Sequence, residues 1–144
     1  MAKYSLLPIH TEDAYRNIFA LEIDGKCSYL TFLEDSRARF NIGQRNQFNL
    51  NDDSHDEVME LEQIIEDYAY NNPILKNRVT KVKKSMPFST IEIKTPKMIR
   101  VYCIVIKGTG NIIITGHIKG NKKDQNRVLN NVKKISKQYK ASIK

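Results

Sequence analysis

The chain is poor in cysteine. Cys27 and Cys103 are the two it has in 144 residues, and neither has a second Cys or a His at metal-ligand spacing. A disulfide scaffold or a zinc ribbon is therefore not expected, and both thiols read as reduced and packed. Long apolar runs are also missing: none approaches the roughly 18 residues of a membrane span. Near the N-terminus "SLLPI" is too short for the apolar part of an export signal, and Thr11, Glu12 and Asp13 follow it. The expected address is the cytoplasm, with no membrane partner. There are no internal repeats and no low-complexity linker. With 40% hydrophobic and 28% charged residues, a chain of this length suits one domain with a real core.

Acidic residues are scarce in one half only. Residues 1–72 carry 6 Lys+Arg against 14 Asp+Glu, whereas residues 73–144 carry 18 against 2. The surplus of cations over anions must face something, and a polyanion such as nucleic acid fits the basic half. The acidic outer face of a helix around Glu60, Glu62, Glu66 and Asp67 reads as a solvated face.

Periodicity supplies the elements. Residues 1–16 read as an arm, packed on the domain or partly mobile, and residues 17–144 as the single domain. "RNIFALEID" alternates as a strand and ends at the turn signal Asp24-Gly25. Ser28 caps a helix to about Arg39. An Asn- and Gln-rich loop spans 41–53. Ser54 caps a second helix, with Val58, Leu61, Ile64, Ile65 and Tyr68 on one face, stopped at Asn71-Asn72-Pro73. The segment 73–87 reads as a short helix or a loop. Three strands follow, at 88–95, 99–106 and 111–119, the last two joined by Gly108-Thr109-Gly110. Asp124 caps a last helix with the apolar stripe Val128, Leu129, Val132, Ile135 and Tyr139. The order β-α-α-β-β-β-α predicts an α+β fold: a small antiparallel sheet with its helices on one face and the other face free for polar groups.

Alternation then sorts the polar residues. On the strand 111–119, Ile112, Ile114 and Ile118, with Gly116, read as the core face, and Asn111, Ile113, Thr115, His117 and Lys119 as the open face. Arg100 and Tyr102 share a face of the neighbouring strand and are expected to join His117 and Lys119. Glu92 and Lys94 lie on a face that fits the same side. Lys122 and Lys123 stand just past the last strand. Arg100 is the sharpest signal, because a charge inside an apolar run is costly unless solvated or paired; a groove is the expected explanation. Arg forks fit phosphate oxygens, His moves protons near neutral pH, and Tyr stacks a base or donates a hydrogen bond. This set suits RNA cleavage without a metal, in which the 2′-OH attacks its own phosphate and cations stabilise the charged transition state.

The segment "STIEIKTPKMIRVYCIVIKGTGNIIITGHIKGNKKDQNRVLNNVKKISKQY" resembles the RelE/ParE superfamily of toxins from bacterial toxin–antitoxin pairs, in particular its HigB and RelE branches. The resemblance covers about residues 17–139. It rests on an arginine in an "RVY" context, a strand of the "IIITGHIKG" kind and a basic "KK" leading into the last helix. It implies a RelE-like toxin domain, an mRNA endoribonuclease (an mRNA interferase) that acts on ribosome-bound mRNA and inhibits translation. It also implies a cognate antitoxin of helix-turn-helix type and no metal or other cofactor. Arg100 would stabilise the phosphate, with Lys94, Lys122, Lys123 and His117 as the other catalytic candidates and Lys119, Tyr102 and Arg127 as RNA-binding ones. Where some relatives carry a tyrosine in the last helix, this chain has Val128 and Leu129. Two alternatives stand beside this reading: a non-catalytic member, as ParE-type proteins inhibit DNA gyrase, and a basic RNA-binding module.

Overall fold

The computed structural model describes residues 2–38, 48–118 and 122–143. It is an α+β fold around a mixed sheet. Along the chain run β1 (Tyr4–His10), β2 (Ile18–Ile23), β3 (Lys26–Cys27), α1 (Ser28–Ala38), α2 (Phe48–Ala69), β4 (Val79–Lys81), β5 (Ser89–Lys94), β6 (Ile99–Ile106), β7 (Gly110–Ile118) and α3 (Lys122–Ser142). The sheet order is β1-β2-β7-β6-β5-β4, with β3 paired to β2. All neighbours are antiparallel except β2 and β7, which run parallel from Ile18↔Asn111 to Ala20↔Ile113.

Two edge strands go beyond the expected set. The expected arm contains β1, paired along β2 from Tyr4↔Ile23 to His10↔Ile18. Pro8 hid it: proline cannot donate to a ladder, yet an edge strand tolerates it. The segment 73–87 contains β4, which also lies on an edge. The second helix starts at Phe48, six residues ahead of Ser54, so the last part of the expected 41–53 loop is helical; 41–47 lies outside the described residues. Its end falls where the Asn-Asn-Pro signal puts it. Asn71 takes the left-handed φ of 59°, and the Asn72 N–H reaches back to the Asp67 carbonyl at 2.8 Å, closing the helix in the manner of a Schellman cap.

The larger correction concerns the layers. Strand β6 is apolar on both sides. Ile99, Val101 and Cys103 pack with Tyr29, Leu33, Val58, Leu61 and Ile65 of α1 and α2. Tyr102 and Ile104 pack with Ile112, Ile114, Val132 and Tyr139, the last two from α3. Helices therefore cover both faces, α1 and α2 on one and α3 on the other, and no face is left bare as expected. The reason is visible in β6, whose near-continuous apolar run is the mark of a strand buried on both sides. Cys27 and Cys103 both belong to the core under α1 and α2.

A bulge corrects the face assignment on β7. Register slips between Tyr102 and Cys103, so that Tyr102 opposes Thr115 while Cys103 opposes Ile113. Upstream of the slip, Ile113 packs towards α1 and α2 and Ile112 and Ile114 towards α3. Downstream, Thr115 meets Ser28 of α1 at 2.9 Å, Gly116 lies against the Phe32 ring of α1, and His117 stacks on Tyr102. One extra residue moves the following side chains to opposite faces. His117 thus shares its face with Ile112 and Ile114, and not with Asn111 and Ile113. At the start of α1 the Ser28 hydroxyl hydrogen-bonds the Thr115 hydroxyl of β7.

The parallel join between β2 and β7 needs glycine at one point. Gly110 has a φ of +129°, and a Cβ there would lie 2.6 Å from the Asn17 carbonyl oxygen, which accepts the Asn111 N–H at 2.8 Å. Gly110→Ala is expected to lower stability by roughly 1–3 kcal/mol in urea unfolding. Gly108→Ala, whose Cβ meets nothing within 4 Å, is expected to cost less, about 1 kcal/mol for its positive φ alone.

Candidate nucleic-acid interface

Three strands place the polar cluster. Lys94 of β5 opposes Arg100 of β6, and Arg100 opposes His117 of β7. Cross-strand partners point to one side, here the side of α3. Two positions away on each of β5 and β6, Glu92 opposes Tyr102. The sequence grouping of Arg100, Tyr102, His117 and Lys94 therefore holds, with the bulge supplying the step that brings in His117.

Glu92 organises the cluster. One carboxylate oxygen accepts from Arg100 Nη1 at 2.8 Å; the other accepts from the Tyr102 hydroxyl at 3.0 Å and from Gln125 Nε2 of α3 at 3.3 Å. The side chains of Arg100 and Glu92 are 14% and 11% exposed. The charge inside the apolar run is thus paired, and the expectation of a groove in place of a salt bridge needs correcting: Arg100 has both. Its other side lines a cavity of about 310 Å³ with Lys76, Arg78, Lys94 and Lys97. The wall of that cavity is held from the far face of the sheet by the buried Glu57 of α2, which bonds the Thr95 hydroxyl and the Met98 N–H.

Burial tunes two groups. The Tyr102 phenol is pushed up, first by desolvation and then by the neighbouring Glu92 charge, so it stays protonated and serves as a donor. His117 is held below its ordinary value, mainly by desolvation and further by the Arg100 charge. Its ring lies nearly parallel to Tyr102, centroids 5.8 Å apart, and its buried Nε2 finds no hydrogen-bond partner among the described residues. The imidazole is therefore neutral at pH 7. Desolvation likewise pushes up the fully buried Cys103 thiol, which suits packing and not chemistry.

The remaining expected residues are not gathered here. Lys122 and Lys123 are exposed first residues of α3 and do not line this cavity. Cations at a helix N-terminus oppose the helix dipole, and Asp124 in the same turn offsets them. Arg127 is exposed and bonded to Asp124 at 2.6 Å. Lys119 lies outside the described residues. Conversely, Glu92 was grouped by alternation but given no role, and Gln125 carried no signal, since a helical residue's partner across a fold is not encoded locally. Among the described residues no cluster of three or more His, Cys, Asp or Glu could hold a metal ion, and no helix is long and apolar enough to cross a membrane.

No family model, curated protein or solved structure matches this chain.

Removing one partner from the ion pair should cost more than removing both. Arg100→Ala is expected to lose about 3 kcal/mol in chemical denaturation, because the Glu92 charge is left buried. Arg100→Gln combined with Glu92→Gln should recover more than half of that, and Tyr102→Phe alone should lose about 1.5 kcal/mol. A lowered His117 also fixes a pH trend. Between its folded value and the ordinary 6.5 the unfolded chain binds more protons, so stability rises with pH across that window and is lost on acidification. The wild type should lose more stability than His117→Phe between pH 7 and pH 5, and the His117 ring resonances should titrate with a midpoint below 6.5.

Proposed function

We propose that the protein is a toxin of the RelE kind: a metal-independent endoribonuclease that acts on translated mRNA and is restrained by an antitoxin. The observation that carries this reading is the position of Arg100, fixed on one side by Glu92 at 2.8 Å and lining on the other a cavity rimmed by Lys76, Arg78, Lys94 and Lys97. A guanidinium has five N–H donors, so a bond from Nη1 to Glu92 aims the fork without exhausting it. Pre-aimed cations are what a transferring phosphate needs, since they act without reorganising as charge develops.

In this reading Arg100 and Lys94 hold the phosphate oxygens. The ribose 2′ oxygen attacks phosphorus, the bond from phosphorus to the 5′ oxygen breaks, and a 2′,3′-cyclic phosphate and a 5′-hydroxyl result. His117 is opposite Arg100 in the ladder, but its Nε2 is buried and it does not line the cavity. Solvent water therefore takes the 2′ proton and returns one to the leaving 5′ oxygen while Arg100 and Lys94 carry the charge. A second reading, RNA binding without cleavage, is favoured by the Arg100–Glu92 ion pair itself, because a neutralised guanidinium stabilises a transition state less than a free one.

Expression in growing bacteria separates the two. The wild type is expected to arrest growth and to cut translated mRNA. The Arg100→Gln/Glu92→Gln variant, chosen because it buries no unpaired charge, should remain folded by circular dichroism and lose cleavage by 100-fold or more, in the range of removing one phosphate-stabilising donor. Arrest without cuts in mRNA would favour the binding reading. A wild type that neither arrests growth nor cuts mRNA, or a double variant as toxic as the wild type, would end the endoribonuclease proposal.

A further inference from the structure

We infer that the edge segment from Lys76 to Lys84 is a track for the phosphodiester backbone of single-stranded RNA. This rests on the RNA reading above and assigns to it residues outside the cluster around Arg100. After a turn at Lys76-Asn77, where Asn77 has a φ of 72°, the segment runs along β5: the Lys94 N–H bonds the Arg78 carbonyl and the Val82 N–H bonds the Thr90 carbonyl, each at 2.9 Å. At about 3.3 Å per residue, positions 78–82 alone cover roughly 13 Å, room for a few nucleotides.

Two cavities lie along it. One is the cationic cavity that holds Arg100. The other, of about 220 Å³, is lined by Lys81, Lys83 and Lys84 together with Glu92, Gln125 and Leu129. They meet at the Arg100–Glu92 bond, since Arg100 lines the first and Glu92 the second. The outer wall is tied down in advance: Lys84 Nζ donates to Asn130 Oδ1 of α3, and Lys140 Nζ donates to the Pro87 carbonyl at 3.1 Å. A strand path flanked by cations and lacking exposed aromatic anchors recognises repeating phosphates and not base edges. An acidic peptide would want apolar anchors in pockets, and beyond the fully buried Ile99 the first cavity offers Pro96 and Met98 against five cations.

Lysine on an edge strand also guards against strand-to-strand pairing. That role needs only charge, and it predicts variants that aggregate while binding RNA as before.

The test is fluorescence anisotropy of the full chain with a 2′-O-methyl oligouridine about twelve nucleotides long, which cannot be cleaved through its 2′ position, titrated over a salt series. Lys81→Gln/Lys83→Gln/Lys84→Gln is expected to weaken binding by about tenfold or more at 0.1 M salt and to flatten the log–log salt slope by about 2, the value for three phosphate contacts on a single strand. Lys133→Gln/Lys134→Gln/Lys137→Gln, on the exposed side of α3, removes the same charge and should change little. Equal losses from both triples would reduce the effect to net charge and overturn the track. So would unchanged affinity of the first triple, equal affinity for a duplex, or displacement by polyglutamate as effective as by RNA. Growth arrest and mRNA cleavage that survive the first triple together with full RNA affinity would sink the track and leave the toxin reading standing; salt-dependent binding lost in the first triple, with no arrest by the wild type, would do the reverse.

Discussion

Placing a guanidinium beneath a helix requires a carboxylate within reach, and the basic half of this chain has two acidic residues to offer, Glu92 and Asp124. Asp124 stays at the surface with Arg127. Glu92 goes inside, where it takes a cation from β6, a phenol from β6 and an amide from α3. Each bond answers a different burial problem. The guanidinium is neutralised, the phenol is satisfied, and α3 is registered against the sheet by a polar contact in the midst of an apolar seam. Without the carboxylate, Arg100 and Tyr102 could not share a buried face, and the three-layer arrangement would lose a charged joint between β5, β6 and α3.

That joint also sets the electrostatic character of the site. Local neutrality at Glu92–Arg100 sits inside a strongly cationic edge made of β4, the β5–β6 loop and their flanks. The acidic half of the chain reaches this edge through Glu57, which bonds the Thr95 hydroxyl and the Met98 N–H of the β5–β6 loop. The apolar burial of β6 on both sides holds this edge in place.

How far this was legible in the sequence differs from residue to residue. Arg100 stood out because a charge in an apolar run needs a reason, and period-two alternation put Tyr102 with it. His117 was drawn to the same face by an argument that missed the bulge at Ile114–Thr115; a one-residue insertion in a ladder leaves no mark in a run of isoleucines. The arm hid a strand because Pro8 is a poor strand former except on an edge, and edges are defined only once the sheet is assembled. The groove expectation for Arg100 failed by half because pairing with Glu92 spans eight residues and two strands.

Taken alone, the amino-acid sequence determined the local matters: the helical stripes, most strands, the turn at Asp24-Gly25, the stop at Asn71-Asn72-Pro73 and the excess of cations after residue 73. These follow from periodicity, backbone preferences and charge, which act over a few residues. Tertiary structure decided which side of the sheet α3 covers, which face His117 joins and whether Arg100 is paired. An amphipathic helix states that it will bury a face but not against which surface. Here the second apolar side of β6 was the surface that remained, and α3 closed over it with the charged pair beneath.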